Sequence, residues 1–433
     1  MIYKKLGTLS VSIVQRVRAS SFLKNVTTLA LGTIIGQLIL IGATPILTRI
    51  YSAKDFGILA LFTSVSTIAA ILTTGRYEFA IGLPEKDEDA INIIGLIVFL
   101  ATLISSFFLL CIFFIRTLDI SPASYRGFVN SPAIFMAPLC TFLSAVYTSL
   151  QYWHQRKKKY TKISFSNTLQ VLGGTLFNLL YGLIGIGLFG LIYGFIVGQL
   201  FSIIVLLSSL YKSGYLKKIN IKSFKSKAKE YSTFPRYMIL SDLSSTSSQQ
   251  MIPIIFSILF NNSVVGFFAL SNRMLRIPSI ILTSSIGNVF RNDAIDAIRL
   301  NGNCRDLYAA TLKKLLLLCV PIYLFLAITS PFLFSFFFGK NWVQSGYFAQ
   351  IICIMMIFDF LALPLNSLFY VLEKQKIYMR VQVVNTLLGI LSIYLGYFFF
   401  RNAYYSVLFF ALNNALFSIL SLSITYGLSK QTY

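Results

Sequence analysis

Two arginines three residues apart, Arg273 and Arg276, interrupt an apolar run that starts near Val264. A helix rises about 1.5 Å per residue, so they lie about 14 and 18 Å into it. That is close to the middle of a hydrocarbon core about 30 Å thick. The i, i+3 spacing puts both on one face. A charge at such depth costs several kcal/mol unless it is paired or faces water, and two cations on one face cannot neutralise each other. Two readings follow. One arginine pairs with Asp359, at similar depth in another apolar segment, and the pair locks two helices. Alternatively, at least one arginine faces a hydrated cavity that accepts an anion.

Other residues extend the second reading. The stretch Ser241–Gln250 reads SDLSSTSSQQ and is too polar to face lipid, so Gln249 and Gln250 are expected to line water. Asp242 lies near one end of that same segment. Pro253 and Pro278 can bend the segments that hold them. Asp359, Asp242 and Glu78 are the acidic residues placed to carry ion coupling or to pair with the arginines.

Glu78 belongs to TTGRYEFAI, Thr73–Ile81. A helix over 56–80 puts Arg76 about 30 Å from its start, at a membrane interface. On one continuous helix Arg76 and Glu78 stand about 200° apart and do not pair with each other. With Tyr77 they suit anchoring at the headgroups or pairing with another helix. The competing reading is a cytoplasmic-side substrate site.

Reaction chemistry is not visible. His154 is the single histidine, and the five cysteines include no CxxC. There is no Ser/His/Asp set, P-loop or zinc spacing, so no enzyme, cofactor or metal is expected. A membrane enzyme that joins glycans would need a sizeable outer loop with an acid; the longest, about 116–131, holds Asp119 alone.

The elements that must position these residues are helices. Of 433 residues, 56% are hydrophobic and only 12% charged, where soluble proteins carry about 25% charge. Mean hydropathy is +0.75. Twelve apolar segments can be marked: 26–48, 56–80, 90–115, 132–152, 163–183, 188–211, 237–260, 264–290, 315–338, 347–372, 381–400 and 403–427. Backbone in lipid must satisfy its own hydrogen bonds, so each is read as a helix.

Charge placement sets the orientation. Of 37 Lys and Arg, 28 fall in the termini and alternate loops, six in the other loops and three within segments. Positive loops stay cytoplasmic, so both termini are expected there. The same split accounts for most of the formal net charge of +23 without nucleic acid; the basic loops face anionic lipid headgroups. One cytoplasmic loop is acidic, Pro84–Asp89 (PEKDED). It suits the N-terminus of the next helix, or a coupling role.

The longest cytoplasmic loop divides the segments six and six. The expected organisation is a basic N-terminus (1–25), a six-helix half (26–211), a basic linker (212–236), a second half (237–427) and a short tail (428–433). The halves carry a repeat: PILTRIYSAKDFGILALF from Pro45 aligns, with one gap, with PIIFSILFNNSVVGFFAL from Pro253. Gly57–Leu61 then matches Gly266–Leu270 as G-x-x-A-L. The fold expected is an all-α polytopic membrane protein of twelve helices, in two parallel six-helix halves around a central cavity. Gly190, Gly194 and Gly198, like Gly32 and Gly36, are read as close helix packing.

These stretches also resemble a known family. LTRIYSAKDFGILALF, GRYEFAIGLPEKDEDAINIIGL, VVGFFALSNRMLRIPSIILTSSIGNVF, FFFGKNWVQSGYFAQ and PLNSLFYVLEKQK are similar, in order, to the Wzx-type O-antigen and polysaccharide flippases, relatives of MATE-like exporters. The resemblance implies a carrier in the bacterial inner membrane. It would move undecaprenyl-pyrophosphate-linked oligosaccharide repeat units to the outer leaflet by alternating access. It also implies glycan polymerase and other assembly proteins as partners beside membrane lipids, and it puts Arg76 and Glu78 in the inner part of the substrate cavity. The alternative is a MATE-like exporter of small molecules.

Overall fold

The computed structural model describes residues 31–118, 132–185 and 187–431. The basic N-terminus (1–25), most of the loop with Asp119 and the last two residues of the tail lie outside the described residues. Each of the twelve segments, where described, overlaps a long helix, though the segments 56–80 and 347–372 run past the ends of theirs. Nine are long and apolar enough to cross a membrane among the described residues. They are α1 (Leu31–Ile50), α2 (Ala53–Thr74), α3 (Asp87–Thr117), α4 (Met136–Arg156), α6 (Leu188–Tyr211), α9 (Arg305–Phe338), α10 (Val343–Leu365), α11 (Gln375–Phe400) and α12 (Ala403–Ser429). Three more, α5 (Tyr160–Leu183), α7 (Thr233–Leu259) and α8 (Asn262–Asn301), are long but more polar. The protein is therefore an all-α, multi-pass membrane protein. Large apolar side chains such as Phe107 on α3, Phe325 and Phe332 on α9 and Phe398 on α11 are exposed, as lipid-facing side chains must be.

Two helices run well past the expected ends. α8 has 40 residues and α9 has 34, so at about 1.5 Å per residue each outruns a 30 Å core. Their excess is polar, with Arg291 and Arg299 on α8 and Lys313 and Lys314 on α9, and apolar-run length does not reveal it. α8 starts at the side chain of Asn261, which accepts a hydrogen bond from the Val264 amide at 3.0 Å. It ends at Gly302, whose φ of 74° few other residues adopt. Pro253 and Pro278 lie inside α7 and α8, which continue through them.

The chain forms two compact units. The first comprises 31–43, Ala69–Phe114 and Phe135–Ile239. Within it α5 and α6 pack along their lengths. A Cβ on Gly194 would lie 2.8 Å from the Gly174 carbonyl oxygen, and one on Gly198 would lie 2.5 Å from that of Gln170. The glycine steps let backbones approach to where any side chain would collide.

The second unit comprises Thr44–Ile68 and 240–431, with 115–118 and 132–134. Its centre is α10, the most buried of the nine spans, packed on α8, α9 and α12. Here the sequence repeat meets itself. A Cβ on Gly57 would sit 1.7 Å from the Asn262 oxygen and 3.0 Å from the Gly266 nitrogen; one on Gly266 would sit 1.9 Å from the Ala53 oxygen and 3.0 Å from the Gly57 nitrogen. The glycines of both G-x-x-A-L motifs are therefore needed at this crossing, where any side chain would collide with backbone. Trp342 braces it: its indole N–H donates to the Thr48 carbonyl at 2.9 Å. Its ring meets Phe56 and Phe267 edge-on.

Candidate functional site

The arginines of α8 stand in the second unit. Two cavities adjoin there, with about 710 and about 1000 Å³ of space between the surrounding atoms, part of it open to solvent. Arg273, Arg276, Asn272, Gln249 and Gln250 line the smaller. Arg276 and Gln249 also line the larger, together with Asp359. Helix periodicity explains the placement: Asn272, Arg273 and Arg276 share a stripe of α8, and α7 presents Gln249 and Gln250 beside it. Gln250 accepts a hydrogen bond from Ser64 on α2 at 3.0 Å.

No carboxylate lies within 4.0 Å of either guanidinium among the described residues. Arg276 donates through Nε to Asn272 at 3.1 Å. Arg273 has no hydrogen-bond partner among the described residues. Asp359 borders the same cavity as Arg276, but its Oδ1 accepts from the Ser418 hydroxyl at 2.7 Å. The two form no direct ion pair, so the α8–α10 lock read from their similar depth is absent in this arrangement. Two cations and one carboxylate leave an excess of positive charge in a partly enclosed space, suited to an anion with several oxygens.

Arg76 and Glu78 belong to the first unit, and here the structure corrects the sequence reading. They do pair: the Arg76 guanidinium meets Glu78 Oε1 at 3.0 Å. The continuous helix that set them about 200° apart does not exist. α2 stops at Thr74; Gly75 and Arg76 take φ of 56° and 59°, and a 3-10 turn covers Tyr77–Gly82. That reversal brings residues two apart onto the same side. Glu78 is buried, and its Oε2 has no hydrogen-bond partner. Tyr77 is buried too and donates to the Ala228 carbonyl at 3.1 Å, so it is not a headgroup anchor. Neither Arg76 nor Glu78 lines the α8 cavities, and neither does Asp242, which sits on α7 two turns before Gln249.

The acidic loop acquires a definite role. Asp87, Glu88 and Asp89 occupy the first turn of α3, where the helix dipole favours them. Asp87 binds Arg156 at 3.1 Å and also Lys157 and Tyr215. Glu88 binds Lys218 at 2.8 Å and Asp89 binds Lys227 at 3.1 Å. The loop ties the basic segments after α4 and α6 together. The hydrogen bond that Lys218 donates to Glu88, with the carboxylate's charge, raises the Lys218 ammonium above its ordinary range.

A family model described as polysaccharide biosynthesis protein matches residues 46–347. The chain belongs to the polysaccharide biosynthesis protein family. No functionally curated protein matches this sequence. Among solved structures, this polysaccharide biosynthesis protein is similar to the lipid II flippase MurJ in an inward closed conformation. The TM-score is 0.70 at 13% identity, over 92% of this chain and 86% of that one. It is also similar to an inward-facing multidrug resistance MATE family transporter of the MOP superfamily (TM-score 0.65, 11% identity, 90% and 93% covered). A third is a MOP superfamily transporter from Pyrococcus furiosus whose binding pocket is described as of reverse polarity (TM-score 0.58, 12% identity, 94% and 97% covered). The fold is thus that of the MATE and MOP transporters, and the expectation of a Wzx-like, MATE-related chain holds.

Sequence reading of this polysaccharide biosynthesis protein missed one group of cavity residues. Asn366, Gln382, Asn385 and Asn414 line the larger cavity with Asp359. The signal was present: an amide within an apolar segment costs about 2–7 kcal/mol in lipid unless it finds a partner or faces water. Each run holds only one or two of them, too few to stand out against the apolar residues around them.

Proposed function

We propose that this protein flips undecaprenyl-pyrophosphate-linked oligosaccharide repeat units from the cytoplasmic to the outer leaflet of the bacterial inner membrane. They would feed O-antigen or other surface polysaccharide synthesis. The observation that carries the reading is the pair Arg273 and Arg276, without a carboxylate partner within 4.0 Å among the described residues and lining a cavity inside a membrane unit. A pyrophosphate supplies the multiple anionic oxygens such a pair binds best. Family membership supports the substrate class. Twelve crossings in two parallel halves, both termini cytoplasmic and alternating access complete the proposal, with α5, α7 and α8 crossing despite their polarity because polar side chains can face the interior. Any ion coupling runs through Asp359, the one acidic residue of the three considered that borders the cavity. The partners are membrane lipids and the glycan polymerase and other assembly proteins that would take over the product.

The test is a chromosomal Arg273→Ala, Arg276→Ala double variant, checked for membrane insertion and scored for surface polysaccharide. Loss of display is expected; normal display by an inserted double variant removes the role given to the arginines. The likeness to a multidrug transporter supports a second reading, an exporter of small molecules. Deletion would then alter dye efflux and leave surface glycans intact.

A further inference from the structure

We infer that the larger cavity of the second unit is a sugar-reading subsite, which holds the first residues of the glycan while the arginines hold its pyrophosphate. The inference rests on the flippase reading and names the part of the substrate that this cavity recognises.

The composition of the wall carries it. An anion-only site would have no use for Asp359, and a cation-only site would not include Arg276, yet both border this space. An apolar drug would leave the uncommitted Asn366 amide and Asp359 oxygen unpaired, at a cost of about 1–3 kcal/mol for each buried group. What remains is a ligand whose groups both donate and accept, and a sugar hydroxyl does both.

The unused hydrogen-bonding capacity agrees. Asn385, Asn413 and Asn414 are tied to one another and to backbone: Asn413 donates to Asn385 at 2.8 Å, and Asn414 donates to the Phe410 carbonyl at 2.9 Å. That network fixes the wall. Asn366 is more than nine-tenths buried, and its Oδ1 accepts from Ser421 at 2.7 Å. Its amide N–H groups have no partner among the described residues. Asp359 Oδ2 and the amide of Gln249 are also uncommitted there. The cavity thus keeps donors and acceptors in fixed positions, the arrangement that separates ligands by the presence or absence of individual hydroxyls.

Position supplies the link to the substrate. Arg276, Gln249, Ile252 and Phe410 border both cavities, so a phosphate at Arg276 already stands at the rim of the amide-lined space. The sugar bonded to that phosphate is the group that would enter it. Phe410 and Phe417 add aromatic surface for the apolar face of a sugar ring.

The experiment compares two probes on the purified full-length chain in lipid nanodiscs: undecaprenyl pyrophosphate, and undecaprenyl pyrophosphate carrying the oligosaccharide made by the source cells. The sugar is expected to tighten binding at least about tenfold, equivalent to about 1.4 kcal/mol. Gln382 and Thr386 line the larger cavity and not the smaller, so Gln382→Leu and Thr386→Val should shrink that gain to less than about threefold, with binding of the sugar-free probe unchanged. The sugar-free probe also reports that each variant is folded. Equal affinity for both probes in the unaltered chain overturns the subsite while sparing the pyrophosphate site. So does a sugar-dependent gain that neither variant reduces, which would place the sugar elsewhere. Binding of neither probe overturns the flippase reading, and this inference with it.

Discussion

Arg76 and the arginine pair of α8 both interrupt apolar sequence, but their charges are handled differently. Arg76 turns back onto Glu78 within its own unit, at 3.0 Å, so the protein itself neutralises it. Arg273 and Arg276 have no carboxylate within 4.0 Å among the described residues, and they line a cavity. Desolvating a guanidinium is costly in both places. In the first, the compensation is built into the fold. In the second it is left to water or to whatever fills the cavity, which is the mark of a binding group rather than a structural one.

The largest effect expected from breaking this contrast is at α8. A charge-assisted hydrogen bond contributes about 1.5–3 kcal/mol, so each arginine-to-alanine change should weaken substrate binding by roughly 10- to 100-fold. Thermal stability should change little, because no carboxylate partner is abandoned and only Arg276 gives up a protein hydrogen bond, to Asn272. Arg273→Lys should keep part of the binding, since the charge remains and the planar fork is lost. Binding and melting measured on the same purified variants check both halves of the expectation.

The reverse pattern is expected at Glu78. Removing one partner of a buried ion pair costs about 3–5 kcal/mol, so Glu78→Leu should lower the melting temperature markedly. The double change Arg76→Met, Glu78→Leu should recover most of the loss. A double-mutant cycle on melting curves reads the coupling directly.

Asp359→Asn sharpens the comparison further. Asparagine can still accept from Ser418, and no ion pair with Arg276 is lost, so a stability change under about 1 kcal/mol is expected. A structural lock would cost about 3–5 kcal/mol instead. The smallest effect belongs to the exposed pair of Glu88 and Lys218: Lys218→Ala should lower melting only slightly near neutral pH. The raised Lys218 ammonium stabilises below the ordinary lysine pKa of about 10.4, and that contribution is lost only as pH climbs through the raised value.

Much of this was legible in the residues. Apolar runs located the helices because lipid admits little else, and the repeat singled out Gly57 and Gly266 without showing that they meet. The two arginines read as deep in the membrane, Arg273 and Arg276, do line a cavity. The Arg76–Glu78 pair was misread because a helical template was carried through Gly75. That glycine follows Thr73 and Thr74 at the end of an apolar run, where glycine commonly ends a helix in the left-handed region. The long polar ends of α8 and α9 escaped because hydropathy reports lipid contact and not helix length. The amide wall escaped because α10, α11 and α12 each bring only one or two of its residues, and folding brings them together.

The central claim is that the α8 arginines carry a lipid-linked pyrophosphate glycan across the membrane. Its most direct test is the leaflet location of lipid-linked repeat units in cells whose only copy is the Arg273→Ala, Arg276→Ala variant. A membrane-impermeant sugar-oxidising label applied to spheroplasts would report it. The account predicts repeat units that accumulate out of reach of the label, as in a deletion strain, with the variant inserted at normal levels. Repeat units labelled as fully as in unaltered cells would contradict it.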